Sequence, residues 1–271
     1  MASYKDEGVV LRTTRLGEAD RIVTIVTPEH GKVRAVAKGI RRTRSRLGSR
    51  LDPMTHVSLA CWKGRELDVV TAVEVIDHFR GVRENLDKMP TAFTMLEAVD
   101  HVAVERQPMP AVFKLLAGAL GALAGEGGPV LLGAFLLKLL VLEGVGPSPH
   151  DCARCGQVFG GAGGLVAFDP QAGGFVCGRC RSGRAVAPET LELVRQILGG
   201  GLRAALATPA SRATAEVERL ATLATEHHLE RRLRSARSSV MAAALDRSGA
   251  ASGGGGGLGD GSGREDPGPS R

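Results

Sequence analysis

Aromatic residues are scarce in this 271-residue chain: seven Phe, one Trp and one Tyr, 3% in all. Binding by many stacked rings is therefore excluded, and recognition must rest mainly on charge and hydrogen bonding. Long apolar runs are missing too. The longest, Val130 to Leu142, covers 13 residues and contains Lys138. A bilayer span needs roughly 20, so this run predicts a buried helix. The polar start, Met1 to Glu7, has no apolar stretch behind it and predicts no secretory signal. Catalytic signatures are wanting as well. There is no GxxxxGK[ST] phosphate loop and no HExxH, and His227-His228 lacks zinc spacing. The Gly160–Gly164 stretch does not lead from a strand into a helix, so it is no dinucleotide fingerprint. The expectation is a protein that is not an enzyme. No internal repeat is found.

What is present is ordinary in bulk and uneven in detail. Apolar residues make up 43% and charged residues 24%, the proportions of a globular protein. The length suffices for one large domain or two small ones. Arg outnumbers Lys 28 to 7, which with the Ala and Gly surplus reflects a GC-rich genome rather than a mechanism. Four of the five Cys stand in two CxxC pairs, which suits a reducing cytoplasm better than a disulfide scaffold. Residues 1–80 carry 15 basic and 10 acidic groups, most of the chain's net +6.

Residues 1–80 read as five short strands rich in Val, Ile and Thr: Gly8–Thr14, Arg21–Thr27, Lys32–Lys38, Thr55–Trp62 and Glu66–Val75. The third alternates apolar and basic residues, as a half-buried strand does. Five strands with one long connection, residues 39–54, predict a small closed barrel of OB type, with an SH3-like barrel left open by pattern alone. Residues 81–248 read as a helical domain, with helical period from 86 to 146 and again from Pro188. Phe93, Leu96, Val99 and Ala103 share one predicted face, Leu115, Ala119 and Ala122 another, and a last helix is predicted from Thr214 to about Leu245. Within this region, residues 151–184 form a Gly-rich insert. Residues 249–271 hold 10 Gly in 23 positions and read as a disordered tail. The fold class is α+β.

The strongest motif is Cys152-Ala153-Arg154-Cys155 followed, after a spacer of 21 residues, by Cys177-Gly178-Arg179-Cys180. Two residues between paired thiolates let both face one ion, and two such knuckles complete a tetrahedron. Gly156 and Gly178 are expected to permit the tight turns, and Phe159, Leu165, Phe168 and Phe175 to form a small core. A dithiol redox pair or a disulfide is the competing reading, but no βαβ context surrounds either pair. One structural zinc ion is the expected cofactor, closed to substrate because all four positions are thiolates. His150 reads as a surface residue beside the loop.

The main functional signal is a run from Lys32 to Leu51 with eight basic residues and no acidic one. Lys32, Arg34, Lys38, Arg41, Arg42, Arg44 and Arg46 are the candidate phosphate contacts, with Thr43 and Ser45 as further donors. A solvated loop, or a site for an acidic protein, explains the same residues. Cys61 reads as a core thiol, and Trp62 as either a stacking ring or a barrel-end core residue. Asp52, Glu66 and Asp68 read as solvated strand-edge groups rather than a nuclease centre. Arg231, Arg232, Arg234 and Arg237 read as a solvated helix face.

Several of these segments together resemble the RecO family of bacterial recombination mediators. They are Tyr4–Leu11, Leu16–Val23, Gly31-Lys32, Ala37–Gly39 with Ser45–Gly48, the strand Glu66–Val75 and the late His228–Ser235. The resemblance implies an N-terminal OB barrel and a helical domain, often with a zinc loop whose ligands match Cys152, Cys155, Cys177 and Cys180. It implies binding of single- and double-stranded DNA and annealing of complementary strands. It further implies a partnership with RecR to load RecA onto DNA coated by single-stranded DNA-binding protein, in the cytoplasm and on the nucleoid during repair. The basic positions Lys38, Arg41, Arg42, Arg44 and Arg46 match that family's basic segment. The rival readings are a generic OB-plus-zinc RNA- or DNA-binding module of transcription or translation, and a zinc-stabilised nuclease.

Overall fold

The computed structural model describes residues 2–42, 45, 47–159 and 164–235. Five strands, β1 (Ser3–Leu16), β2 (Asp20–Thr27), β3 (Gly31–Ala37), β4 (His56–Trp62) and β5 (Asp68–Asp77), close into a barrel in the order β1-β2-β3-β5-β4. All neighbours run antiparallel except β3 and β5, which pair parallel. This is the OB arrangement, and it removes the SH3-like alternative. Closure depends on the length of β1. Its first half pairs with β4 and its second with β2, with a bulge between Val10 and Arg12 where the strand bends. Inward residues such as Val10, Val23, Ile25, Val33, Leu59 and Cys61 fill the barrel, and Leu51 from a 3-10 turn (Gly48–Leu51) joins their core. Cys61 is fully buried as expected, and burial pushes its thiol up to about 12, so it stays protonated.

Helices follow the barrel: α1 (Arg80–Arg83), α2 (Met89–Val102), α3 (Pro110–Ala124) and α4 (Leu131–Leu142). A three-stranded sheet of β6 (Leu165–Asp169), β7 (Gly174–Cys177) and β8 (Arg184–Ala185) comes next, then α5 (Pro188–Leu198), α6 (Leu202–Leu206) and α7 (Arg212–His228). The 13-residue apolar run is the buried central helix α4, with Lys138 half-buried at its edge. Its Gly133 meets α7 so closely that a Cβ there would lie 2.9 Å from Val217 and 3.1 Å from the Glu218 backbone. No helix among the described residues is long and apolar enough to cross a membrane.

The barrel is bolted to this body rather than tethered. Val9, Leu11 and Val26 turn away from the barrel interior and join the helical core. Beside them, Lys32 N–H donates to the Val104 carbonyl (2.9 Å) and Met109 N–H to that of Pro28 (3.0 Å).

Three helical expectations change. On α2 the core takes Ala92, Met95, Leu96 and Val99, and leaves Phe93 38% exposed. On α3 the buried stripe is Val112, Leu116, Ala119 and Leu123, so Leu115 and Ala122 flank it. In each case sequence period identified the helix, but apolar residues on both sides of the stripe blurred its centre. The last helix stops at His228, where Leu229 caps it and Glu230 turns to φ 49. Residues 236–245 of that predicted helix, and the 249–271 tail, lie outside the described residues.

Candidate nucleic-acid surface and metal centre

The basic run divides into two structurally different groups. Along β3, Val33, Ala35 and Ala37 point into the barrel, which sends Lys32 and Arg34 to its outer face. That face meets the helical body. Lys32 Nζ donates to the Asp100 carbonyl at 2.6 Å and stands 3.6 Å from the Asp100 carboxylate, so its charge sits at the negative end of α2. Arg12 reaches the same carboxylate at 2.6 Å, and Arg34 pairs with Glu105 at 3.7 Å. Lys38, Arg41 and Arg42 lie past the end of β3 and are exposed. Among the described residues none has a carboxylate partner.

This turn is fixed from beneath. Gly39 N–H donates to Asp20 Oδ1 (2.7 Å), Arg41 N–H to the Ala19 carbonyl (3.0 Å), and one Arg41 guanidinium nitrogen to the Glu18 carbonyl (2.8 Å). Gly39 takes φ +64, which few side chains tolerate. The Ser45 hydroxyl accepts the Leu47 N–H at 3.2 Å and so helps shape the following 3-10 turn. Thr43, Arg44 and Arg46 lie outside the described residues.

Trp62 is 51% exposed on the outside of β4, between Cys61 in the core and the exposed Lys63. Of its two readings, the barrel-end core residue is not what the fold produces. Asp68 also departs from expectation. It is 7% exposed, accepts from the Tyr4 hydroxyl (2.5 Å) and Gly64 N–H (2.9 Å), and lies 3.7 Å from Arg106. It closes the β4–β5 turn instead of facing solvent.

The four cysteines of the insert converge as their spacing predicts. Their sulfurs all lie within 4.8 Å of one another, and Cys155 Sγ and Cys177 Sγ are 3.9 Å apart. Four thiolates bound tetrahedrally at about 2.3 Å stand about 3.8 Å apart, so this donor set fits one metal ion. The first knuckle turns through Gly156 at φ +70, whose N–H returns to the Cys152 carbonyl (2.8 Å). The second needs no such freedom: Gly178 is not in the left-handed region, and a Cβ there would meet nothing. Cys177 is the last residue of β7, and its N–H donates to Cys152 Sγ at 3.4 Å. Burial alone would raise the Cys152 thiol. The N–H groups of Cys155, Cys177 and Arg154 outweigh it and bring the Cys152 thiol down, while the neighbouring sulfurs of Cys155, Cys177 and Cys152 push the Cys180 thiol up.

Phe168 and Phe175 pack edge to face at 5.2 Å, both fully buried, and belong with Leu165 to the core shared with the helices. Phe159 is only half-buried, and His150 is exposed outside the sulfur cluster. Sequence reasoning missed Asp169. Buried at the end of β6, it accepts from Ser182 (2.5 Å), from Arg154 of the first knuckle (2.8 Å) and from Gln171 N–H (3.0 Å). The Ser182 and Arg154 bonds hold its carboxyl down at about 2. Its only signal in the sequence is the Asp169-Pro170 turn pair.

A closed OB barrel with an exposed cationic turn, joined to a helical body that carries a four-cysteine metal-type centre, defines an OB–knuckle protein. Comparison with known proteins narrows the class. Residues 1–79 match the family model "Recombination protein O N terminal" and residues 83–237 match "Recombination protein O C terminal". The chain is 44% identical over 238 residues to a DNA repair protein RecO of Nocardioides sp., covering 86% of this chain and 97% of that one. It is 42% identical over 246 residues to a DNA repair protein RecO of Cutibacterium acnes, covering 87% and 98%. To that of Frankia casuarinae it is 42% identical over 240 residues, covering 86% and 97%. The chain belongs to the RecO family, and this membership supports a role in DNA repair.

Proposed function

We propose that the chain is a DNA-binding recombination mediator. In this reading residues 1–80 bind DNA, and residues 81–248 carry the metal-bearing insert at 151–184. The protein anneals complementary single strands and, with RecR, helps load RecA onto DNA coated by single-stranded DNA-binding protein. It works in the cytoplasm and, during repair, on the nucleoid. No bond-making or bond-breaking step is assigned to it. The observation that carries this reading is the exposed turn of Lys38, Arg41 and Arg42, which have no carboxylate partner among the described residues, on an OB barrel of the RecO family. Annealing brings two polyanions together, and fixed cations lower their repulsion while releasing condensed counterions. With one exposed Trp on the barrel, binding is directed at backbone and tolerant of sequence.

In the same reading Cys152, Cys155, Cys177 and Cys180 hold one zinc ion. Four thiolates are the donor set of structural zinc, and the ion would secure the insert without taking part in chemistry.

The test is annealing of complementary oligonucleotides, bare and coated with the cognate single-stranded DNA-binding protein, with strand integrity followed on a gel. Faster duplex formation on coated strands is expected. Binding without annealing would refute the mediator reading and favour an RNA- or DNA-binding module, while strand degradation in Mg²⁺ would favour a nuclease. The combined variant Lys38→Ala, Arg41→Ala and Arg42→Ala should lower the salt slope of single-strand binding by about 2, at about 0.7 per lost contact.

A further inference from the structure

The late arginines do not lie on a helix, where their spacing would have kept only some of them together. After α7 ends at His228, residues 229–235 fold back across α2 toward β1, and the fold grips this segment by its backbone. Leu233 is fully buried. Its N–H donates to Glu226 Oε1 (2.9 Å), while Arg234 and Ser235 N–H groups donate to the two Glu97 oxygens at 3.0 and 2.9 Å. Burial alone would raise the Glu97 carboxyl, but these N–H bonds outweigh it and hold it below its usual range. The carboxylates thus hold main chain, and the side chains of Arg231, Arg232 and Arg234 remain exposed with no acidic partner among the described residues. Arg237 lies outside those residues.

Arg231, Arg232 and Arg234 line a cleft of about 420 Å³ between β1 and α2, together with Arg12. Four arginines therefore share the lining with two carboxylates, Glu97 and Asp100, and both are already engaged, Glu97 by backbone and Asp100 by Arg12 and Lys32. The excess is cationic. The lining is also apolar in part, and it includes the half-exposed Phe93, the α2 residue that packing left out of the core. A cleft lined by arginines and an aromatic residue, with a volume in the range of small-ligand sites, has the chemistry of a nucleotide unit: phosphodiester on arginine, base on ring.

We propose that this cleft is a second contact for single-stranded DNA, taking the phosphodiester backbone on Arg231, Arg232 and Arg234 and one base against Phe93. The inference rests on the DNA-binding reading above and extends the path of a bound strand from the barrel to the helical body. An acidic protein segment has the charge to meet the arginines but no base for the ring, so the two are separable.

The experiment uses the full chain and two fluorescein-labelled probes, a 30-nucleotide oligo(dT) and an abasic phosphodiester of the same length. The combined variant Arg231→Ala, Arg232→Ala and Arg234→Ala should lower the salt slope for oligo(dT) by about 2, and the matching Lys variant should restore it. Phe93→Ala should weaken oligo(dT) binding about fivefold or more while leaving the abasic probe unchanged, and Phe93→Leu should do the same without emptying the site. An unchanged slope in the Ala variant, or equal effects of the Phe93 variants on both probes, would overturn the cleft. If only the Lys38, Arg41 and Arg42 variant loses slope, the DNA-binding reading stands and the cleft does not. A wild-type chain that binds neither probe overturns both.

Discussion

Gly31 and Gly39 bracket β3, take nearly the same backbone angle, and should respond to alanine very differently. Their φ values are +62 and +64, so the strain of placing a Cβ in the left-handed region is common to both, about 1–2 kcal/mol. Their surroundings are not alike. A Cβ at Gly39 would lie 3.5 Å from its nearest atom, on the flexible Arg42 side chain. A Cβ at Gly31 would lie 1.9 Å from the Gln107 carbonyl oxygen and 2.8 Å from that of Val104, both main chain. That strand of backbone must retreat by about 1 Å or more, and it is held by Lys32 N–H to Val104 O, Arg106 N–H to Lys32 O and Met109 N–H to Pro28 O. Three such bonds at about 0.5–1.5 kcal/mol each make a further loss of about 2–4 kcal/mol. Gly39→Ala should therefore cost about 1–2 kcal/mol and Gly31→Ala about 3–6 kcal/mol. Urea denaturation followed by circular dichroism measures both. Gly17→Ala, at φ +58 with nothing near, is a second control for strain alone. Hydrogen exchange should show faster opening of 104–109 in Gly31→Ala while the barrel interior stays protected. If Gly31→Ala matched Gly39→Ala within about 0.5 kcal/mol, the barrel would not be anchored through this contact.

Two further predictions concern the insert. Cys177→Ser should abolish stoichiometric zinc, read by atomic emission, and lower the Tm, because Phe168 and Phe175 each contribute about 1.5–3 kcal/mol by burial in a core shared with the helices; full zinc and an unchanged Tm would refute the four-ligand assignment. Asp169→Asn should destabilise the chain at neutral pH, with a loss that fades on acidification. The folded carboxyl is depressed to about 2, so its stabilisation is present above the unfolded value near 4 and disappears as pH falls through about 2. A wild-type advantage that persisted undiminished at pH 2 would show that shape, not charge, sets the role of Asp169.

The barrel and the sulfur cluster were legible because each is encoded locally. Alternation of Val33, Ala35 and Ala37 with Lys32 and Arg34 fixes which side of β3 faces inward, and CxxC spacing fixes which thiols converge. What lies against the outward side is not local information. Lys32 to Leu51 reads as one continuous cationic signal, yet the fold separates it at Ala37. Upstream, the outer face of β3 meets the helical body, where Lys32 pairs with Asp100, and the more exposed Arg34 pairs with Glu105. Downstream, Lys38, Arg41 and Arg42 clear the end of the strand and stay open to solvent.

The late arginines show the same limit from the other side. Spacing on an assumed helix scattered Arg231, Arg232 and Arg234. The chain leaves helical geometry at Glu230, and a buried Leu233 turns the three toward one cleft. Phe93, expected in the core, lines the same cleft because Met95 and Leu96 fill the interior instead. A charge becomes available to a ligand only where no internal carboxylate reaches it, and that accounting needs the tertiary neighbours of each residue. Among the described residues it leaves Lys38, Arg41 and Arg42 on the barrel turn and Arg231, Arg232 and Arg234 at the barrel–helix junction without a carboxylate partner, while Lys32 and Arg34 are paired with Asp100 and Glu105.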